Sequence, residues 1–239
     1  RELAELITSE SGLCIKDTLH EIDRVADVAF YSAKVAETIE LDRTHYFQFD
    51  SKKDKPVLKV ITEPYDLIVG ITPFNHPMNQ VAHKVLPCVA AGACMVLKPS
   101  PKTPLSAIKL GELLLESGLE KNVLNIVTDD PKNKTVYSMI TSPLVDMVSF
   151  TGGLEAGVYI AKKISNSRNV LKRYVPELGG CSSLIINDDA DLTQAAVVAT
   201  KGCFGNSGQR CTAIRRIIVL KSVADEFINN FTNEARKIK

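Results

Sequence analysis

The feature that most limits the fold of this chain is the alternation of short apolar runs with helical patterns after Pro64. The apolar runs have the length of strands, and the segments between them repeat apolar residues every three or four positions. The runs are DLIVGI, CMVLK, VLNIV and VDMVSF. Strands separated by helices pair in parallel, because a parallel connection needs a long crossover. We therefore predict an α/β protein with a Rossmann-type parallel sheet and helices on both faces.

Two further regions flank this alternation. Residues 14–39 have the period of one amphipathic helix, with Arg24 off its apolar stripe, and residues 45–60 indicate a hairpin or extended arm that could be an oligomer contact. A second α/β block begins at Cys181. We expect two domains, 1–180 and 181–239, and the second has too little material for a full core of its own.

The helix ends carry local signals. Thr103 is predicted to cap a helix that has Pro104 at its first position and ends at Gly118. The last helix is predicted to begin with Ser222 as N-cap and Asp225 as its acidic partner. A further helix is expected from about residue 154 to 164, after the turn Thr151-Gly152-Gly153.

Charge and composition exclude several classes of function. The formal net charge is +1, with acidic and basic residues interspersed, so no nucleic-acid partner is expected. No apolar run has the roughly 20 residues that a membrane span needs, and the first residues do not form a signal peptide. The six cysteines are scattered without metal-site spacing, so we expect reduced thiols, no metal and a cytoplasmic location.

Three polar positions carry candidate chemistry. Cys211 lies in the turn-forming loop NSGQRCT, where the neighbouring cation Arg210 would favour the reactive thiolate; the alternative is an inert loop cysteine. Glu177 precedes a Gly-Gly pair and could act as a general base, or it is a solvated residue at a strand end. Asn75 follows the first strand of the sheet and could donate to an oxyanion, cap a helix, or do both.

The turn after VDMVSF could receive a phosphate, because Thr151, Gly152 and Gly153 stand between a strand and the N-terminus of a helix. The dinucleotide fingerprint G-x-G-x-x-G is absent, so an ordinary Rossmann phosphate loop is not predicted.

Taken in order, the segments ITPFNHP, MVLKPSPKTPL, VSFTGG, PELGG and NSGQRCT resemble those of the aldehyde dehydrogenase superfamily, over essentially the whole chain. Among its subgroups, FNHP and NSGQRCTA are most similar to phosphonoacetaldehyde dehydrogenase. Non-phosphorylating glyceraldehyde-3-phosphate, lactaldehyde and succinate-semialdehyde dehydrogenases are also similar. The resemblance implies that residues 1–180 form an NAD(P)-binding domain with N-terminal helices and an arm, and that 181–239 begin a catalytic domain.

The resemblance also implies roles for single residues. Cys211 matches the nucleophile, Glu177 the base that activates the thiol or water, and Asn75 the oxyanion donor. The cofactor, NAD or NADP, would be contacted by Thr72, Pro73, Phe74, Lys98, Ser100, Thr151, Gly152, Gly153, Leu178 and Gly179. The reaction it implies is oxidation of an aldehyde to an acid through a thiohemiacetal and a thioester.

Two departures from the family pattern limit the inference. Family members that use NAD commonly carry Glu three residues after the lysine, where this chain has Pro101, so the choice between NAD and NADP is open. Family members are also considerably longer, so the chain is expected to be a fragment, and a chain that ended at Lys239 would be inactive. The resemblance further implies a homodimer or homotetramer.

The substrate is expected to be a small aldehyde bearing phosphonate, phosphate or carboxylate. Arg210 and His76 flank the proposed nucleophile and oxyanion donor, and Arg24 could join them in holding an anion. The alternative is that these are structural residues. Two other functions stay open: an acylating relative that transfers the thioester to coenzyme A, and a truncated non-catalytic relative. A cysteine hydrolase is disfavoured, because no histidine partner or elbow motif is evident near Cys211.

Overall fold

The computed structural model describes residues 1–39, 43–48, 57–129, 135–167 and 171–238. Its contacts divide the chain into two compact units. Unit 1 comprises Arg1–Thr151 and Glu155–Glu177, and unit 2 comprises Gly152–Leu154 and Leu178–Lys239. The domain boundary at residue 180 stays a prediction, because compactness alone does not define an independently folding domain.

Unit 1 begins with two helices and a hairpin. Their bounds are α1 Glu2–Ser11, α2 Ile15–Thr38, β1 Thr44–Gln48 and β2 Val57–Ile61. Helix α2 confirms the predicted helix over residues 14–39. Strands β1 and β2 pair antiparallel, with Thr44 opposite Ile61, which confirms a hairpin. The charged segment SKKDK lies outside the described residues, and the role of the hairpin as an oligomer contact stays a prediction.

A five-stranded parallel sheet forms the centre of unit 1. Its strands are β3 Leu67–Ile71, β4 Cys94–Lys98, β5 Leu124–Ile126, β6 Met147–Thr151 and β7 Arg173–Glu177. They lie in the order β5-β4-β3-β6-β7, so the chain turns to opposite sides of β3. The predicted Rossmann-type parallel sheet is confirmed.

Four helices accompany this sheet: α3 Asn79–Ala91, α4 Leu105–Glu116, α5 Thr135–Thr141 and α6 Leu154–Ser165. Helix α6 confirms the helix predicted from about residue 154 to 164. The main core cluster joins helices α3 and α4 to strand β4, through buried side chains such as Val81, Val85, Met95, Leu97 and Leu110. Burying such aliphatic side chains stabilises the folded state by about 1.5–3 kcal/mol each.

Unit 2 is a smaller α/β unit. Its elements are β8 Ser182–Ile186, α7 Leu192–Phe204, a 3₁₀ turn at Gly205–Gly208, β9 Ile214–Val219, a second 3₁₀ turn at Lys221–Val223, and α8 Ala224–Ala235. Strands β8 and β9 pair in parallel, and a small core forms around Ile186, Ala199 and Phe227. The side chain of Asp191 caps α7 by accepting hydrogen bonds from the backbone N–H groups of Thr193 and Gln194.

Two predicted helix caps are wrong. Helix α4 begins at Leu105, and the carboxylate of Glu10 in α1 accepts hydrogen bonds from the N–H groups of Leu105 and Ser106, so Thr103 does not supply the cap. Helix α8 begins at Ala224 without a side-chain cap, because Ser222 lies in the preceding 3₁₀ turn. The predicted end of α4 is confirmed, since Gly118 adopts a φ of +98° just after the helix.

None of the helices in the described parts of the chain has the length and apolar character to cross a membrane. Within those same residues, histidine, cysteine, aspartate and glutamate do not form a group of three that could hold a metal ion.

Candidate active site

The carboxyl edge of the unit 1 sheet collects several of the predicted site residues. Strand register places Ile71 beside Lys98 on one side and beside Phe150 on the other, and it pairs Thr151 with Glu177. The strand order reverses at β3, and ligands of α/β sheets bind outside the carboxyl ends of the strands at such a reversal. Lys98, Thr151 and Glu177 are each the last residue of a strand at this edge.

The turn after β3 carries the predicted oxyanion donor. Thr72 is buried, and its N–H donates to the carbonyl oxygen of Lys98 at 3.2 Å, which holds the start of the turn against β4. Pro73 and Asn75 are half-buried, and Phe74 is exposed with the Lys102 ammonium 4.5 Å from its ring centroid. The turn therefore has a fixed start, and Asn75 within it is only partly exposed.

Glu21 of helix α2 fixes the other end of this turn. Its buried carboxylate accepts hydrogen bonds from the N–H groups of Met78 and Asn79, each at 2.9 Å. Its second oxygen lies 3.5 Å from Nδ1 of His76. Sequence reasoning missed Glu21, although its spacing from Thr18 and Val25 places it on the buried face of α2. One nitrogen of His76 thus faces a carboxylate.

A cavity of about 250 Å³ opens beside Lys98 and is lined by Pro99, Ser100, Pro101, Pro104, Thr128 and Asp129. The Lys98 ammonium donates to the carbonyl oxygen of Pro99 at 3.0 Å. Burial lowers the pKa of Lys98, and the charge of Asp129 partly opposes that shift. Ser100 is buried, and its hydroxyl accepts from the N–H of Lys102 at 3.2 Å.

Lys84 of helix α3 is a second residue that sequence reasoning missed. Its ammonium donates to the hydroxyl of Ser149 on β6 at 2.8 Å. Burial lowers its pKa to about 8, and the charge of Glu177 acts in the opposite direction. Glu177 therefore has a half-buried amine for a neighbour. No local sequence signal marks this pair, because it is formed by packing of α3 on the sheet.

The predicted nucleophile lies in unit 2, directly before β9. Asn206, Ser207 and Gly208 have φ values of +56°, +54° and +69°, a left-handed run that is unusual for the first two residues. The run ends close before Cys211, which is exposed. Strained backbone of this kind concentrates at functional sites and persists where the surroundings fix it.

Gly180 approaches the same loop closely. A Cβ atom at Gly180 would lie 2.3 Å from the carbonyl oxygen of Cys211, so only glycine fits there. Leu178 and Gly179 directly precede Gly180, and the unit 2 strands begin together at Ser182 and Ile214. Residues 178–180 and the cysteine loop are therefore neighbours within unit 2.

The three predicted anion-binding residues have different surroundings. The Arg210 guanidinium lies against Gly205, with Cζ 3.4 Å from where a Cβ would be, and its buried Nε has no hydrogen-bond partner among the described residues. Arg24 is exposed on α2. The charge of Arg24 acts on His83 of helix α3: burial lowers the pKa of His83, and the positive charges of Arg24 and Lys84 lower it further. A common anion site for Arg210, His76 and Arg24 stays a prediction.

The predicted residues fall into two groups. Unit 1 holds Thr72, Pro73, Phe74, Asn75, His76, Lys98, Ser100, Thr151, Glu177 and Arg24, whereas unit 2 holds Gly152, Gly153, Leu178, Gly179, Arg210 and Cys211. The roles that the resemblance implies for them stay predictions.

Comparison with known proteins finds matches to one protein family. The aldehyde dehydrogenase family model matches residues 1–239. A 3-sulfolactaldehyde dehydrogenase of Priestia aryabhattai is 33% identical over 237 residues, covering 99% of this chain and 48% of the relative. A betaine aldehyde dehydrogenase structure from Staphylococcus aureus with NAD⁺ has a TM-score of 0.91 and 33% identity, covering 99% of this chain and 45% of the other.

An NADP-dependent glyceraldehyde-3-phosphate dehydrogenase from Bacillus halodurans C-125, complexed with NADP, has a TM-score of 0.88 and 32% identity, covering 99% of this chain and 48% of the other. The chain thus spans about half the length of the relatives it matches. Because the family model matches from the first residue to the last, the chain belongs to the aldehyde dehydrogenase family.

Proposed function

We propose that this protein oxidises a small aldehyde to the carboxylic acid with NAD or NADP as hydride acceptor. Cys211 is the proposed nucleophile, Glu177 the general base and Asn75 the side-chain donor to the oxyanion. The observation that carries the proposal is the setting of Cys211: an exposed thiol that closely follows a left-handed turn and whose backbone abuts Gly180. An inert structural cysteine needs neither exposure nor a strained turn.

In the proposed reaction the Cys211 thiolate adds to the aldehyde carbon and forms a thiohemiacetal. The negative charge on the former carbonyl oxygen is stabilised by the Asn75 amide and the N–H of Cys211. Loss of a hydride from this carbon converts the thiohemiacetal into a thioester, and a bound nicotinamide would supply the hydride acceptor. Glu177 then takes a proton from water as the water attacks the thioester, and the acid and the free thiol are released. The covalent step divides oxidation from hydrolysis.

The cofactor is proposed to bind along the carboxyl edge of the unit 1 sheet. Lys98 and Ser100 adjoin a cavity there, and Thr72, Pro73 and Phe74 form the turn after β3. The edge offers both an ammonium donor and carboxylate acceptors for ribose hydroxyl groups. Thr151, Gly152 and Gly153 are proposed for the pyrophosphate, and a Cβ at Gly153 would meet no atom within 4 Å, so its backbone is open to a ligand. Leu178 and Gly179 are proposed beside the nicotinamide.

A trapping experiment tests the covalent step. The protein is mixed with an aldehyde and NAD or NADP, NAD(P)H is followed by absorbance, and acylated protein is mapped by peptide mass spectrometry. We expect an acyl group on Cys211 and loss of NAD(P)H formation by about 10⁴-fold in Cys211→Ser. Cys14→Ser is the matched control, since Cys14 is also exposed but belongs to unit 1.

Acid formation at an unchanged rate in Cys211→Ser would exclude the proposed nucleophile. A product that forms only with coenzyme A, as an acyl-CoA, would identify the acylating alternative in place of hydrolysis.

The proposed substrate carries an acidic group, with Arg210, His76 and Arg24 as its contacts. Two relatives are named for aldehydes that carry an acidic group, sulfolactaldehyde and glyceraldehyde-3-phosphate. A third is named for betaine aldehyde, which lacks an acidic phosphate or sulfonate. We expect kcat/KM to be at least about tenfold higher for an anionic aldehyde than for its neutral analogue. Equal values would remove the anion contacts. The protein is further proposed to form a homodimer or homotetramer and to be located in the cytoplasm. Sedimentation velocity measures the oligomeric state.

A further inference from the structure

The cavity beside Lys98 has a second charged residue that the family resemblance does not explain. Val127 donates its N–H to the carbonyl oxygen of Leu97 at 2.8 Å, so the segment after β5 continues alongside the end of β4. Lys98 is the next residue on β4, and Asp129 lies two residues beyond Val127. The carboxylate of Asp129 is thereby brought to the wall of the cavity.

The Asp129 carboxylate can still accept a hydrogen bond. Its Oδ1 atom is buried and has no hydrogen-bond partner among the described residues, although the residue as a whole is only half-buried. A buried carboxylate oxygen without a donor is costly, and a ligand hydroxyl group that reached this carboxylate would reduce the cost. Its charge also acts on Lys98, because it opposes the lowering of the lysine pKa.

The helix that borders the cavity offers no free anion site. Pro104 lines the cavity and precedes α4, whose first N–H groups would otherwise be donors for a phosphate. The carboxylate of Glu10 already accepts from the N–H groups of Leu105 and Ser106 and from the Ser106 hydroxyl. The end of the helix dipole is therefore matched by a negative charge.

The nearby cations are also engaged, as far as the structure describes this region. The Lys98 ammonium donates to the carbonyl oxygen of Pro99, and the Lys102 ammonium lies over the ring of Phe74. A dianionic phosphate in the cavity would thus face the Asp129 carboxylate, and the nearby ammonium of Lys98 already has that carboxylate as a neighbour. An uncharged ribose hydroxyl group would find an acceptor in the Asp129 carboxylate and a donor in the Lys98 ammonium.

On the proposed function, we infer that Asp129 selects NAD over NADP by accepting the free ribose 2′-hydroxyl group and repelling a 2′-phosphate. Asp129 is a specificity-determining residue in this assignment, and its action depends on charge more than on shape. The inference concerns only the adenosine end of the cofactor, so it can be tested without turnover.

The test is a calorimetric titration of the full chain with 5′-AMP and, separately, with adenosine 2′,5′-bisphosphate. We expect 5′-AMP to bind more tightly, and Asp129→Asn to narrow the ratio of the two dissociation constants by about tenfold, the value of roughly one unit charge at a half-exposed site. Asp129→Glu should restore the preference. Asp27→Asn, an exposed change on α2, is the control and should leave both constants unchanged. The same variants are then compared for NAD and NADP reduction.

The outcomes separate this inference from the function on which it rests. Equal or tighter binding of the bisphosphate by the unmodified chain overturns the inference alone, and so does an unchanged ratio in a folded Asp129→Asn variant. If neither nucleotide binds, and neither NAD nor NADP is reduced, both the inference and the proposed cofactor site fail.

Discussion

The two units of the chain support their candidate site residues in different ways. In unit 1 the first strand of the sheet has four of its five residues buried, and the candidate residues stand at strand ends whose register is set by the pairing on each side. In unit 2 only two strands pair, and the directly opposed Ile185 and Ile218 are 73% and 53% exposed. The candidate residues of unit 1 are therefore held in place by a packed sheet, whereas those of unit 2 are held by local backbone constraints.

This contrast predicts that unit 1 is the more stable unit and that each unit can be weakened separately. All six tyrosines lie before residue 178 and the chain has no tryptophan, so tyrosine fluorescence reports on unit 1. Hydrogen exchange by mass spectrometry reports on both units. Equal protection of both units in the unmodified chain would contradict this prediction.

The largest effect is expected at Gly180. Gly180→Ala would place Cβ 2.3 Å from the carbonyl oxygen of Cys211, so the backbone must move, and we expect a loss of about 3 kcal/mol in the stability of unit 2. Gly179→Ala is the control, because a Cβ there meets no atom within 4 Å. Hydrogen exchange in β8 and β9 measures the difference. Similar exchange in the two variants would mean that Gly180 does not constrain the cysteine loop.

The next effect is expected at Glu21, in unit 1. Glu21→Ala leaves the N–H groups of Met78 and Asn79 buried and unpaired, which should cost about 2 kcal/mol. Thermal unfolding followed by tyrosine fluorescence measures the loss. Asp23→Ala on the exposed face of the same helix should change the midpoint little. If hydrogen exchange rose in unit 2 as much as in unit 1, the units would not unfold separately.

Lys84 gives a prediction that depends on pH. Because burial lowers its folded-state pKa from 10.5 to about 8, the folded state disfavours the protonated lysine, and stability is lost as pH falls through that range. Lys84→Met should therefore stabilise unit 1 below pH 8 by about 1–2 kcal/mol after allowance for partial exposure. The gain should fade toward pH 10.5. Denaturant titrations at pH 7 and pH 10 measure it, and a gain independent of pH would point to packing instead.

The smallest effect is expected at the cap of α7. Asp191→Ala removes the acceptor for the N–H groups of Thr193 and Gln194 and should destabilise unit 2 by about 1 kcal/mol. Asp188→Ala, an exposed change in the same loop, is the control. A response of tyrosine fluorescence to Asp191→Ala would show that the fluorescence probe does not isolate unit 1.

Sequence patterns predicted what is local or periodic. The parallel strands, helix α2, helix α6 and the hairpin follow from apolar period and turn residues, and the motif order identified the family. The wrong cap of α4 has a physical cause: Glu10 lies far from α4 in sequence and reaches it only through packing of α1 on α4. Glu21 and Lys84 were missed for the same reason, since their partners are brought near by tertiary structure.

Glu10 and Glu21 have a practical consequence for anyone who trims this protein. Helices α1 and α2 supply the acceptors for the first N–H groups of two later helices. Their carboxylates accept hydrogen bonds from the backbone N–H groups of Met78, Asn79, Leu105 and Ser106. A shortened clone that starts after residue 60 would expose these four donors together with the apolar surface beneath α2. Helices α1 and α2 are thus an integral part of the packing of unit 1.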